Sequence, residues 1–455
     1  MSAVIETGPG VAVRMLALVA GPASRVIALD RGRPVTRALF ERHVRAVAAS
    51  LPPARHAVNL CDDRYRFIVA LCAAALRGQV TLLPPSRAPA VVDAVRVDHM
   101  DAICIGDTDL APAPPAYWRL PDVLDELEGA PLEIDGDAAL LIGFTSGSTG
   151  LPTANRKTLA SFVASTTQNI SAMAGLLDAH ATTPVVATVP PQHMYGMETS
   201  VMLPLLGDVA VHAARPFFPQ DVARAVAECP RRALLVTTPV HLRALVQSQG
   251  DDASFAMPPL AGIVSATAPL PQELAQAAEA AFGCEVREMF GSTETCIFAR
   301  RRTAIDEAWT LLPGVRLSPQ PDGTLVEARH LAAPVALADL VELLHDGRFR
   351  LCGRNADLLE IAGKRASLGD LTRKLLAVPG VVDGVVVQLD AGTNGVRRIA
   401  ALAVAPTLSP NDILHALRVQ MDPVFLPRRL RCVPALPRNE TGKLPRAEVL
   451  SLLQG

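Results

Sequence analysis

From about residue 55 to 290, short apolar runs alternate with stretches of helical spacing. Residues 56–61 read as a strand and the alanine-rich 64–77 as a helix. A strand over 79–83 ends at Pro84 and Pro85. Further strands are predicted at 102–105 and 138–144, the latter running straight into T-S-G-S-T-G. Helical spacing returns over 159–177. Short apolar runs recur at 185–189, 209–212, 233–237, 262–265 and 285–290. Strands joined by helices predict parallel sheets covered on both faces, with ligands beyond the carboxyl ends of the strands.

After Phe298 the pattern changes. Residues 309–331 read as β-hairpins with a turn at Pro321, Asp322 and Gly323. A smaller α+β pattern starts near 355: a hairpin (358–365), a helix (368–378), strands at 384–389 and 397–404, a helix (410–421), a strand (429–433) and a last helix. The predicted fold class is therefore α/β. Residues 1–354 form a large N-terminal domain of parallel-rich sheets covered by helices, with a β-rich subdomain. Residues 355–455 form a small α+β C-terminal domain, joined by a hinge of a few residues.

The composition narrows the classes. Half of the 455 residues are hydrophobic and the formal net charge is -2, a globular composition with no electrostatic case for nucleic acid. The densest basic cluster, Arg300, Arg301 and Arg302, reads as a solvated loop. The eight cysteines are scattered without a C-x-x-C pair, which predicts reduced, mostly buried thiols, a cytoplasmic protein and no structural zinc. Glu6 and an apolar stretch broken by Arg14 argue against a signal peptide. The longest apolar run, 67–76, has half of the ~20 residues a membrane span needs.

Four segments carry chemistry. Thr145, Ser146, Gly147, Ser148, Thr149 and Gly150 come after a predicted strand and precede a predicted helix. Hydroxyls and exposed N–H groups there would donate to phosphate, and glycines allow close approach. No G-K-[ST] comes next, so this is not a Walker loop, and a plain Ser/Thr/Gly surface loop fits equally well. In the second segment, Phe290 could stack on a base, with Gly291 and Ser292 beside it. Thr293 could bond phosphate and Glu294 could hold Mg²⁺, which takes one or two carboxylates plus substrate oxygens. The alternative for Glu294 is a solvated helix-cap acid. Third, Asp339 and Arg354 could clamp a ribose and a phosphate; a surface ion pair worth ~0–1 kcal/mol is the plainer reading. Fourth, Lys443 in P-R-N-E-T-G-K could neutralise charge during displacement of pyrophosphate; any lone lysine is otherwise solvated.

In order and separation, TSGSTG, FGSTE, ADL…GR…AGKR and PRNETGK resemble the adenylate-forming superfamily of acyl- and aryl-CoA synthetases, adenylation domains and luciferases. The likeness runs from about 55 to 450. The texture of 62–67 and 82–86 is similar to a compact subgroup found with aryl polyene and xanthomonadin-type pigment pathways. The resemblance implies that an aryl acid is activated with ATP and Mg²⁺. It is then loaded onto a phosphopantetheine thiol, of an acyl carrier protein in that subgroup or of CoA elsewhere. It implies that 145–150 wrap the β- and γ-phosphates. Ser265, Ala266, Thr267 and Phe290 would hold adenine, Glu294 the metal, and Asp339 and Arg354 the ribose side. Lys443 would catalyse adenylation. His193, in P-x-x-H-x-x-G, would sit beside the acyl pocket, where Tyr195, Gly196 and Ser200 are candidates to face a flat ring such as a hydroxybenzoate. Swinging of the small domain would then bring in Gly363, Lys364 and Arg365 for thioester formation.

The chain departs from that family in three places. The usual P-K-G is Pro152-Thr153-Ala154, so a lysine is missing, and Arg156 or Lys157 is expected to supply its charge. Ala356 stands at the usual hinge Asp or Lys. The stretch from Glu294 to Asp339 is short. These losses leave open a catalytically silent adenylate binder as the rival from another class.

Overall fold

The computed structural model describes residues 14–146, 152–251, 255–321, 323–354, 358–361, 364–389, 398–439, 442 and 444–454. The chain divides into two compact units, one of residues 1–306 with 312–314 and 329–332, the other of 307–311, 315–328 and 333–455.

The first unit is built on two large sheets. In one, the strand order is Pro152–Thr158, Ala139–Ser146, Val80–Leu83, His56–Asn59, Ile103–Gly106, Tyr117–Arg119. All neighbours are parallel except the first pair. In the other, Cys296–Arg301, Val286–Ser292, Leu260–Ser265, Ala233–Thr237, Thr183–Ala187, Val209–His212, Val26–Asp30 and Arg33–Thr36 lie side by side in that order. Its middle is parallel, and Cys296–Arg301 and Arg33–Thr36 return antiparallel. The N-terminal hairpin that extends this sheet lies outside the region whose alternation is readable in sequence.

Helix Arg64–Leu76 packs on strands of both sheets, which explains its unbroken apolar run. Phe67, Ile68 and Leu71 are fully buried there, each contributing about 1.5–3 kcal/mol. On the second sheet, helices Pro219–Ala227, Pro239–Asp251 and Gln272–Phe282 lay Val222, Leu242, Leu245 and Leu274 over Val186, Leu235 and Ile263. Buried parallel strands flanked by helices fit the predicted α/β class.

Two expectations are corrected in this unit. The hydroxyl-rich loop leads into a strand: Pro152–Thr158 pairs antiparallel with Ala139–Ser146, and the helix waits until Leu159–Ala172. Thr158 caps that helix reciprocally with Ser161, so the chain cannot enter it earlier without losing the capping box. Arg300 and Arg301 are also not a loop but lie in strand Cys296–Arg301, and only Arg302 is exposed beyond it. Arg301 donates to buried Glu288 at 2.7 Å, and Arg302 grips Glu279 at 2.9 and 2.8 Å. Strand Cys296–Arg301 carries Arg301 directly opposite Glu288.

The second unit begins with Arg316–Gln320 and Gly323–Glu327 as an antiparallel pair, then Asp339–Leu343 against Phe349–Arg354. Leu358–Ile361 and Lys364–Ser367 form the expected hairpin. The last sheet orders Asp383–Gln388, Ile399–Val404 and Arg429–Cys432. Its period of two splits the core. Val386, Ile399, Ala401 and Ala403 face helices Leu368–Leu376 and Pro410–Gln420, while Val387, Ala400 and Leu402 face Val449 and Leu453 of helix Arg446–Gln454.

Of the eight cysteines, four are buried, three are half-buried and Cys352 is exposed. Among the described residues no helix is long and apolar enough to cross a membrane, and no three His, Cys, Asp or Glu side chains cluster as a metal site.

Candidate active site

Two strand ends converge in the first unit. Ala139–Ser146 carries Thr145 to its carboxyl end, and Val286–Ser292 turns through Thr293, Glu294 and Thr295 into Cys296–Arg301. The Thr145 hydroxyl donates to Glu294 Oε1 at 3.3 Å. Thr293 lies against Gly143, where an added Cβ would stand 3.1 Å from the Thr293 methyl. Gly291 is required by a closer approach still: a Cβ there would meet the Cys296 carbonyl oxygen at 2.2 Å. The turn is strained, since Cys296 holds φ +56° without being glycine.

Buried polar groups fix this turn from beneath. Thr295 exchanges bonds with Ser292 at 3.1 and 3.2 Å and donates to the Cys296 carbonyl at 2.9 Å. His330 Nε2 donates to the Thr295 carbonyl at 2.7 Å, which fixes its tautomer, and burial lowers its pKa. Lys157 Nζ donates to the Glu294 carbonyl at 2.7 Å. Lys157 is buried and Arg156 is not, as strand alternation requires. Lys157 therefore engages the backbone of the Glu294 turn.

His193 is the N-cap residue of helix Met194–Met197 and is half-buried. Gly196 must be glycine, because a Cβ would lie 2.0 Å from the Pro190 carbonyl oxygen. Tyr195 is buried and donates to the Val264 carbonyl at 2.9 Å, so its phenol ties the strand that leads to Ser265. Ser265 and Ala266 are buried, and Thr267 turns out of that strand with φ +79°. Phe290, on the next strand, sets its ring edge-on to Phe298 at 5.1 Å.

Two buried charges in this region have no role assigned from sequence. Glu198 lies in a π-helical turn, Glu198–Met202, a distortion frequent at functional sites. It accepts from Asn169 Nδ2 at 3.0 Å and from the Ile297 amide at 2.9 Å. Burial pushes its carboxyl up to about 7, with the bonds from Asn169 and Ile297 and the Lys157 charge pulling the other way. Arg64 is fully buried, and burial lowers its pKa to about 9. It donates to the Ala187 and Val189 carbonyls at 2.9 and 2.8 Å and to the Ser200 hydroxyl. Arg64 sits among the charged residues of 62–66, and Glu198 is the sole charged residue in 194–207.

In the second unit, Asp339 and Arg354 are directly opposed cross-strand partners, and the Asp339 carbonyl accepts from Thr324 Oγ1 at 2.6 Å. Arg438 binds Asp383 through two nitrogens at 2.9 and 2.7 Å and reaches the Gly442 carbonyl at 2.7 Å, just before Lys443. Gly147, Ser148, Thr149, Gly150, Gly363 and Lys443 lie outside the described residues.

Residues 43–321 match the family model for AMP-binding enzymes. The chain belongs to that family. It is 32% identical over 133 residues to anthranilate–CoA ligase of Pseudomonas aeruginosa, which covers 28% of this chain and 26% of that ligase. To 4-coumarate–CoA ligase of Halorhodospira halophila it is 29% identical over 371 residues, covering 77% of this chain and 88% of the relative. ATP-bound MatB from Rhodopseudomonas palustris shares the fold, with TM-score 0.78 and 19% identity over 95% of this chain and 96% of that one. For an AMP-binding enzyme, a lone carboxylate beside a hydroxyl is a fitting Mg²⁺ donor set: both oxygens are hard, and substrate phosphates fill the remaining positions. Glu294 and Thr145 would hold the ion, which would screen the phosphate charge when bound.

Proposed function

We propose that this AMP-binding enzyme activates a carboxylic acid with ATP and passes the acyl group to the thiol of CoA. The convergence of Thr145 and Glu294 from two strand-end loops supports the reading, because a hydroxyl stands beside a carboxylate of the kind Mg²⁺ takes. An acid oxygen attacks the α-phosphorus, the bond to pyrophosphate breaks, and an acyl-adenylate forms. A thiolate then attacks the acyl carbon and AMP leaves. Residues 145–150 wrap the β- and γ-phosphates, Ser265, Ala266, Thr267 and Phe290 hold adenine, and Asp339 with Arg354 hold the ribose side. His193 borders the acid. Lys443, on a mobile part spanning 355–455, neutralises charge in the first step only.

The names of the relatives favour CoA over the carrier protein that the pigment-pathway likeness suggests. That narrower likeness rests on 62–67, 82–86 and the short length of the chain. The acid is proposed to be aromatic, in keeping with anthranilate and 4-coumarate ligases. Acid-dependent ATP–pyrophosphate exchange over benzoates, cinnamates and fatty acids tests the reading. Exchange with an aromatic acid, together with a higher kcat/KM for CoA than for a holo carrier protein, is expected. ATP binding without exchange for any acid would favour the silent binder to which the missing loop lysine points.

A further inference from the structure

Glu198 and Lys157 come from different elements and meet the same turn. Lys157, on strand Pro152–Thr158, holds the Glu294 carbonyl. Glu198, in the turn that begins beyond His193, holds the Ile297 amide three residues later. Both side chains are buried, at 6% and 1% exposure. A buried lysine and a buried glutamate each cost several kcal/mol to desolvate alone; hydrogen bonds to the Glu294 carbonyl and from Asn169 and Ile297 offset that cost, and the Lys157 charge favours the ionised Glu198 carboxylate. Asn169 and Ser165, from helix Leu159–Ala172, and the Cys296 thiol complete the polar surroundings.

We infer that Glu198 and Lys157 are a positioning pair for Glu294. Together they clamp the turn 294–297 at both ends, so the Glu294 carboxylate is presented to the metal–phosphate group without first being ordered. The pair also ties the segment bearing His193 to the turn bearing Glu294, and so joins the proposed acid side to the proposed nucleotide side. This rests on the proposed function for the identity of the ligand.

The test is calorimetric titration of the full chain with ATP, in Mg²⁺ and in EDTA, for wild type, Lys157→Met, Glu198→Gln and the double variant. Each single variant is expected to lose at least tenfold in affinity for MgATP while binding ATP in EDTA as wild type does. A merely structural role would lower both affinities or neither. Thermal unfolding supplies a second reading. The double variant is expected to lose less stability than the sum of the singles, because each single leaves one buried charge uncompensated. Unchanged MgATP affinity in both singles overturns the inference, as do strictly additive losses of stability. A wild type that binds MgATP but exchanges no pyrophosphate defeats the proposed function and leaves this titration fully informative. A wild type that binds no MgATP defeats both.

Discussion

The hydroxyl of Thr145 and the carboxylate of Glu294 stand 3.3 Å apart, although 149 residues separate them in the chain. Neither loop makes a metal–phosphate site by itself. Thr145→Val keeps the shape and removes the donor. It is expected to raise KM for MgATP several-fold with little change in Tm, since one partly exposed hydrogen bond is worth about 1 kcal/mol. Glu294→Gln is expected to lower exchange by roughly 10²–10³, the scale of losing one preorganised electrostatic group. Exchange assays at varied Mg²⁺ check both.

Arg64 reaches three acceptors on 187–200 from a helix of the neighbouring layer. Arg64→Met removes the reach and leaves those acceptors buried. We expect faster amide exchange across 187–200 and a raised KM for the acid, with MgATP affinity unchanged. Hydrogen-exchange mass spectrometry would show whether that segment loosens. Protection equal to wild type would remove Arg64 from this role.

Gly291→Ala should cost stability, at least about 3 kcal/mol, because its new methyl meets backbone rather than a side chain that can yield. Denaturant unfolding measures this. A loss below about 1 kcal/mol would mean that the turn 291–296 relaxes freely.

Glu198 gives stability a pH signature. Its folded-state pKa, about 7, lies above the ~4.3 of an unfolded glutamate, so the native state binds more protons between those values. This contribution is full below pH ~4.3 and is lost as pH rises through about 7, by roughly 4 kcal/mol at most. Glu198→Gln should flatten that fall relative to wild type. Parallel unfolding curves for the two proteins across pH 5–8 would contradict it.

Arg438 braces the approach to Lys443 through Asp383 and Gly442. Lys443→Ala should abolish adenylation yet leave thioester formation from a supplied acyl-adenylate intact. Arg438→Met should slow the same step by a smaller factor. Single-turnover measurements of the two half-reactions separate these outcomes; a Lys443→Ala enzyme with full exchange would end the assignment.

Much of the fold is legible in the chain. Short apolar runs between helical stretches announce buried parallel strands, because strands covered on both faces must be apolar on both. The apolar runs at 384–389 and 399–404 likewise announce strands of the last sheet, both of whose faces are covered. The resemblance carried by TSGSTG and FGSTE agrees with the AMP-binding family match, which spans both. The segment after the first loop is not legible in this way. Pro152–Thr158 is too polar to announce a strand, and only pairing with Ala139–Ser146 makes it one.

Sequence by itself determined the family and the α/β class and nominated the candidate reactive side chains, since local periodicity and motif order are properties of the chain alone. Tertiary structure decided what Lys157, Glu198 and Arg64 do. Their burial and partners arise from strands and turns far apart in sequence. A charged residue has no preferred buried partner until the fold removes water from around it and leaves specific carbonyls and amides within reach.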